Sequence, residues 1–314
     1  MVNWLPAAVE RLIRPLWLFL LGGLLLTTGS RLGLMSWQME RITDASTALT
    51  VLGFGIRIDL VMLCYWLIPA VLLLLPLPSR YHRTLLYLWL AAGFGLLAFM
   101  EAVTPGFIAQ YDLRPNRLFV EYLQYPQEVF GMLLGGFQVE LVFGLLVLLA
   151  APYLAYVTLL RFAPSGGQPV AIGVRLAVIV LLLPLLVLGA RGTLRHRPIN
   201  PGFTAFSSDA LLNDLTLNSL YSVAWAVRAL RAEIDASRLY PQLPDAVLFT
   251  EVHKAMGLPE AQFLSARYPT WHAQKPSVVA PRLRNLVIVL EESLGAQYVG
   301  TLGGDTLTPS FDAL

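Results

Sequence analysis

Cysteine, histidine and lysine are scarce in this chain. Cys64 is the single cysteine and lies inside an apolar run, which excludes an intrachain disulfide and a thiolate metal centre and leaves the redox compartment open. His82, His196, His253 and His272 show no ligand spacing and read as structural or solvated. Lys254 and Lys275 are the only lysines, so arginine carries almost all of the positive charge. Charge of either sign is thin: 13% of residues are charged, against about 25% in soluble domains. The formal charge of +2 makes no case for nucleic acid as a partner. There is no internal repeat and no low-complexity tract. Gly300-Thr301-Leu302-Gly303-Gly304 lacks the lysine that a nucleotide-binding loop requires.

Apolar residues are abundant instead, at 56% of the chain, and they concentrate before Arg191. Five runs are long enough to be read as membrane-spanning helices. The first covers Pro15–Ser30, extending to about Leu34, and its Thr27-Thr28-Gly29-Ser30 end is a poor cleavage site, so it reads as an uncleaved span. The others are Thr47–Leu77, Thr84–Met100, Leu141–Leu160 and Leu176–Ala190. Five crossings place the two ends of the chain on opposite sides of the membrane. Arginine flanks both sides in similar number, so the positive-inside rule does not by itself fix the orientation.

Charged residues within or beside these runs are candidates for function. Arg57 and Asp59 fall near one end of the second run and Glu101 closes the third. Arg57 and Asp59 are two apart and do not share a helix face, so each is expected to pair elsewhere, Arg57 with Glu101. The loop at 103–136 is too long for a simple connection and is rich in tyrosine and arginine, which suits an ordered cap at the membrane interface. Within it Arg114 and Arg117 are candidates for a fork on a lipid phosphate, or for ordinary salt bridges to Asp112 and Glu121.

Beyond the spans, Ser207 to about Ser237 reads as one helix, with caps at Ser207-Ser208-Asp209 and apolar residues at helical spacing. Leu239–Pro281 reads as a linker with one short helix. Asn285-Leu286-Val287-Ile288-Val289-Leu290 is then an unbroken apolar run that stops at Glu291-Glu292-Ser293, the pattern of a strand buried on both faces. In open α/β sheets chemistry gathers beyond the carboxyl ends of such strands. Thr308-Pro309 marks a helix start.

The strand with its Glu-Glu-Ser-Leu-Gly end, followed by Thr-Pro-Ser-Phe-Asp-Ala-Leu, resembles the opening of the sulfatase-type catalytic domain of the alkaline phosphatase superfamily. It is most similar to the lipoteichoic acid synthase branch, which includes phosphoglycerol transferases. The resemblance implies five transmembrane helices over 1–190, an extracytoplasmic linker over 191–281, and over 282–314 the first strand and helix start of an α/β catalytic domain. It implies a bacterial inner or plasma membrane, a cytoplasmic amino terminus, and a divalent metal, manganese or magnesium, held in part by Glu292 of the Glu292-Ser293 pair. Glu291 stands where the family has a neutral residue, and neither it nor Ser293 receives a role. The expected donor is an anionic phospholipid and the acceptor a glycan or glycolipid, with a threonine nucleophile expected beyond Leu314. Phosphoethanolamine transfer and sulfatase chemistry are neighbouring alternatives. A non-catalytic membrane module that positions a partner is the alternative of a different class.

Overall fold

The computed structural model describes residues 7–75, 79–163, 170–233, 239, 243–274, 285, 287–292 and 294–313. It divides into two compact units, Met1–Ile234 and Asp235–Leu314. Among the described residues five helices are long and apolar enough to cross a membrane. They are α1 (Ala7–Trp37), α2 (Ala45–Leu72), α3 (Ser79–Tyr111), α6 (Gln138–Phe162) and α7 (Ile172–Arg191). The predicted loop at 103–136 is largely helical: α3 runs on through its first part, and α4 (Arg117–Tyr122) and α5 (Pro126–Gly136) come after it.

Local chemistry sets the helix boundaries. The Asp44 carboxylate accepts from the Thr47 amide at 2.6 Å and starts α2; this bond holds the Asp44 carboxyl below its ordinary pKa. Gly192 ends α7 in the left-handed region at φ 67°, its amide donating to the carbonyls of Leu188 and Gly189. A Cβ at Gly192 would also come within 2.6 Å of Val61, so the position suits only glycine.

The first unit is built around α1, α2, α3 and α7, with α6 packed on α3 and α5 on α6. Its core runs through Leu12, Leu16, Ile58, Val71, Leu90 and Leu97, among others. Trp66 and Trp89 tie α2 to α3 by stacking at 4.7 Å while each indole N–H donates to the other's carbonyl, at 3.0 and 2.9 Å. The outer faces of α6 and α7 expose Val139, Leu146, Leu149, Val180 and Leu181, which suits contact with lipid tails.

Two sequence expectations are corrected. The single helix over 207–237 is instead α8 (Ala210–Asp214) and α9 (Ser219–Ala232), with a break at Leu215–Asn218; its far end at 234–238 lies outside the described residues. The break arises because Asn218 is extended at φ −108°, ψ 152° and caps α9, its side chain accepting from the Tyr221 amide at 2.8 Å. The expected doubly buried strand does not form among the described residues: Val287, Ile288, Val289 and Leu290 are 74–89% exposed and lack regular structure, while Leu286 lies outside the described residues. A buried strand needs neighbours for its backbone bonds and layers over both faces, and an apolar run supplies neither.

In the second unit the predicted linker helix is α10 (Asp245–Met256), after which His253 stacks on Phe263 with ring centroids 3.6 Å apart. The expected helix start is α11 (Pro309–Asp312), with Pro309 in its first turn. Thr308 stands at the cap position but makes no capping bond; its hydroxyl donates to the Tyr298 carbonyl at 3.4 Å. The Asp312 carboxylate folds back to accept from the Thr301 amide at 2.9 Å.

Candidate functional site

Polar groups gather where the last turns of α1, the middle of α2 and the last third of α3 meet the break between α8 and α9. Arg31, in the last turns of α1, is completely buried, as is Asp59 of α2. Arg31 Nη1 donates to Asp59 Oδ2 at 2.7 Å and Nη2 to Oδ1 at 2.9 Å, a bidentate pair. The rest of the guanidinium reaches the break between α8 and α9: Nε donates to the Leu215 carbonyl at 3.0 Å and Nη2 to the Leu217 carbonyl at 3.3 Å. Asn218 Nδ2 donates to Asp59 Oδ1 at 2.9 Å, so one side chain both caps α9 and grips α2. Gly55 on α2 leaves the room: a Cβ there would overlap the Arg31 guanidinium.

A second pair lies alongside. Arg114 Nη1 donates to both Glu101 oxygens, at 3.0 and 3.2 Å, and to the Ser219 hydroxyl at 3.1 Å. Glu101 also accepts from the Ser219 amide at 2.9 Å and the Ser30 hydroxyl at 2.5 Å. Thr104 and Ser219 share a hydroxyl contact of 2.5 Å. Two carboxylates thus face the amino terminus of α9, the end at which a helix favours negative charge. The Arg114 amide donates to Asp214 Oδ2 at 3.1 Å, and burial pushes the Asp214 carboxyl above its ordinary range. Nε and Nη2 of Arg114 are buried without a hydrogen-bond partner among the described residues.

The remaining candidates sit apart from these pairs. Arg57 does not meet Glu101 as expected. Its Nε donates to the Gly192 carbonyl at 2.8 Å and its guanidinium lies 5.1 Å from the Phe203 ring centroid. The cause is the two-residue offset, which turns Asp59 towards α1 and Arg57 towards the end of α7. Arg114 and Arg117 do not form a common fork either: Arg114 is buried against Glu101, whereas Arg117 is exposed and bonds Glu121 at 2.6 Å and also Glu233. Arg41 bridges Asp112 at 2.7 Å and Asp209 at 3.0 Å. Burial raises the Asp209 carboxyl, but the Leu212 amide and Arg41 outweigh it and leave the group below its ordinary range.

Sequence reasoning named Asp59, Glu101 and Arg114 but not Arg31, Asn218 or Ser219. The signal for Arg31 was its place on an apolar helix that runs past the expected span to Trp37, where a guanidinium needs an acid. The proposed metal ligand Glu292 and its neighbour Glu291 are exposed, and Ser293 lies outside the described residues. No group of three or more His, Cys, Asp or Glu side chains able to hold a metal ion is found among the described residues. A hard divalent cation takes six or more oxygens, so Glu292 alone does not make its site.

What these pairs can do chemically is hold. Their carboxylates are occupied by arginine, side-chain and backbone donors, and together the pairs fasten residues 214–219 to α1, α2 and α3. Compared with known proteins, the chain matches no family model and no solved structure.

Proposed function

We propose that this chain is the membrane anchor, with the opening of the catalytic domain, of a phosphoglycerol-transferase-type enzyme in a bacterial inner or plasma membrane. The donor is an anionic phospholipid such as phosphatidylglycerol and the acceptor a glycan or glycolipid hydroxyl. In that transfer the phosphorus–oxygen bond to diacylglycerol breaks, one forms to the acceptor, and the acceptor's proton passes to the diacylglycerol oxygen. Manganese or magnesium would supply charge neutralisation at the phosphoryl oxygens, with Glu292 as one of its ligands.

The observation that carries the reading is the double grip of Arg31–Asp59 and Arg114–Glu101 on residues 214–219. An enzyme working on lipid headgroups needs the chain that leaves the membrane to start from a fixed height, and two buried ion pairs provide that fixture. The five spans and the Glu292-Ser293 motif add the class of chemistry. Orientation comes from the resemblance: a catalytic domain outside the cytoplasm, behind five spans, requires a cytoplasmic amino terminus and residues 192–233 outside. Arginine is no scarcer at that end than where α1 begins, so the positive-inside rule does not make the choice.

The test is diacylglycerol release from labelled phosphatidylglycerol by the protein in its native membranes. Release should require manganese or magnesium and fall at least about tenfold in Glu292→Gln, since even outer-shell partners of a metal are worth roughly 10–100-fold. Cation-independent release, or full activity in Glu292→Gln, would refute the assignment. No release at all would leave the anchor without this chemistry.

A further inference from the structure

Among the described residues two arginines of the helix bundle keep buried nitrogens without partners: Arg114 at Nε and Nη2, and Arg175 at Nε. They differ in one respect. Arg114 is neutralised by Glu101, whereas Arg175, on the first turn of α7, is 5% exposed and has no ion pair among the described residues. Nor does the sequence offer it a carboxylate: at that end of the bundle the one acid is Glu10, which Arg14 holds at 3.0 Å. A buried guanidinium without an anion is strongly disfavoured, so this side chain calls for one from outside the chain.

The surroundings of Arg175 suit an anion. Helix α7 is 20 residues long and starts at Ile172 with Ala171 at its cap, so no side chain among the described residues caps its first amides. Side chains on a helix lean towards its amino terminus, the direction in which the Ala171–Gly173 turn lies from Arg175. Gly173 faces open space, with nothing within 4 Å of where a Cβ would stand. Uncapped amides, a helix-dipole positive end and a planar guanidinium fork form a donor set for phosphate oxygens. Arg175 lies sixteen residues before Arg191, about 24 Å along the helix axis, which puts it at the headgroup layer opposite the buried ion pairs.

We infer that Arg175 and the first turn of α7 form a binding site for the phosphodiester of an anionic membrane lipid. It lies in the leaflet opposite the proposed chemistry and does not depend on that chemistry. A basic recess between spans on the cytoplasmic side is where anionic headgroups are held. Such a lipid would complete the charge balance of α7 and fix its depth in the membrane.

The experiment compares wild type, Arg175→Met and, as a control, Arg161→Gln, whose exposed arginine lies at the end of α6. The full chain, purified in neutral detergent, receives phosphatidylglycerol, phosphatidylcholine or inorganic phosphate. Retained lipid is counted by native mass spectrometry and unfolding is followed by temperature. Wild type and Arg161→Gln should retain phosphatidylglycerol over phosphatidylcholine and be stabilised by it. Arg175→Met should lose that preference roughly five- to tenfold. In neutral detergent alone Arg175→Met should unfold at the same temperature as wild type or higher, because it removes an uncompensated buried charge. Equal retention by Arg175→Met, equal binding of phosphatidylcholine, or the same stabilisation from inorganic phosphate would each overturn the lipid site. Should Arg175→Met not fold, Arg175→Lys carries the test: charge without the fork should retain less than wild type, and unchanged retention would overturn the site.

Discussion

Replacing Asp59 with asparagine probes the first ion pair with little change in volume. Asp59 accepts three bonds, from Arg31 Nη1, Arg31 Nη2 and Asn218 Nδ2. An amide has one acceptor oxygen, so in Asp59→Asn its NH2 group must face one of these donors. The charge on Arg31 then stays buried at 0% exposure with only the Leu215 and Leu217 carbonyls to meet it. With both partners fully buried, solvent does not screen the loss, and breaking a buried pair by removing one member costs about 3–5 kcal/mol. For a unit of this size, at roughly 2–4 °C per kcal/mol, the unfolding midpoint should fall by about 6–20 °C in mild detergent. Hydrogen exchange should show where: amides of 211–222 should lose protection before those in the middle of α2 and α3. Arg31→Met should cost more than Asp59→Asn, because it buries an unpaired carboxylate and leaves two carbonyls without donors at about 1–3 kcal/mol each. A midpoint shift below about 2 °C for Asp59→Asn, or unchanged exchange over 211–222, would refute the view that this pair fastens the segment.

Gly55→Ala should act on the same pair from the other side, since the new Cβ would overlap the Arg31 guanidinium. It should cost about 1–3 kcal/mol in thermal unfolding, whereas Gly29→Ala, with nothing within 4 Å, should cost nothing. Asp214→Asn tests the buried carboxyl whose pKa is raised by burial. A raised folded pKa gives a stability contribution present below the ordinary carboxyl value and lost as pH rises through the raised one. Asp214→Asn should therefore abolish that loss and gain on wild type as pH climbs out of the acid range, provided the amide oxygen still accepts from the Arg114 amide. Unfolding curves across that range that stay parallel for the two proteins would contradict it.

The spans were legible because hydropathy over twenty residues is a property of composition, and lipid demands it whatever the neighbours are. The candidate site was legible only by halves. Asp59, Glu101 and Arg114 stood out as charges in or beside apolar runs. Their partners did not, because Arg31 is tied to Leu215 and Leu217 across more than 180 residues through backbone carbonyls, which every residue has. The break between α8 and α9 was hidden for a related reason: Leu217, Leu220, Ala224 and Val227 keep a helical period through it, and only the cap at Asn218 interrupts the backbone. The strand at 285–290 shows the converse. Its β-branched run satisfies every local criterion, but burial on both faces belongs to a sheet, and the described residues hold no sheet to bury it.

The polar end of the bundle also bears on how the first unit assembles. A spanning helix satisfies its own backbone, so α1, α2 and α3 are independent of later segments of the chain except at their buried charges. There Asp59 and Glu101 each accept bonds from α9's cap and first turn, and Arg31 directs two of its donors to the turn before it. Without residues 214–219 those charges would keep each other but lose the donors and acceptors that offset their desolvation, which is the condition under which a buried pair is a net cost. The docked segment is therefore part of the folding unit of the membrane helices, even though it lies outside every span. Leu211, Leu212 and Leu215, packed with Leu34, Met35, Val51 and Ile108, cover the same end with apolar surface and keep water from the pairs. The spans and the segment beyond them are stabilised at one place by one set of contacts, so neither should be fully ordered without the other.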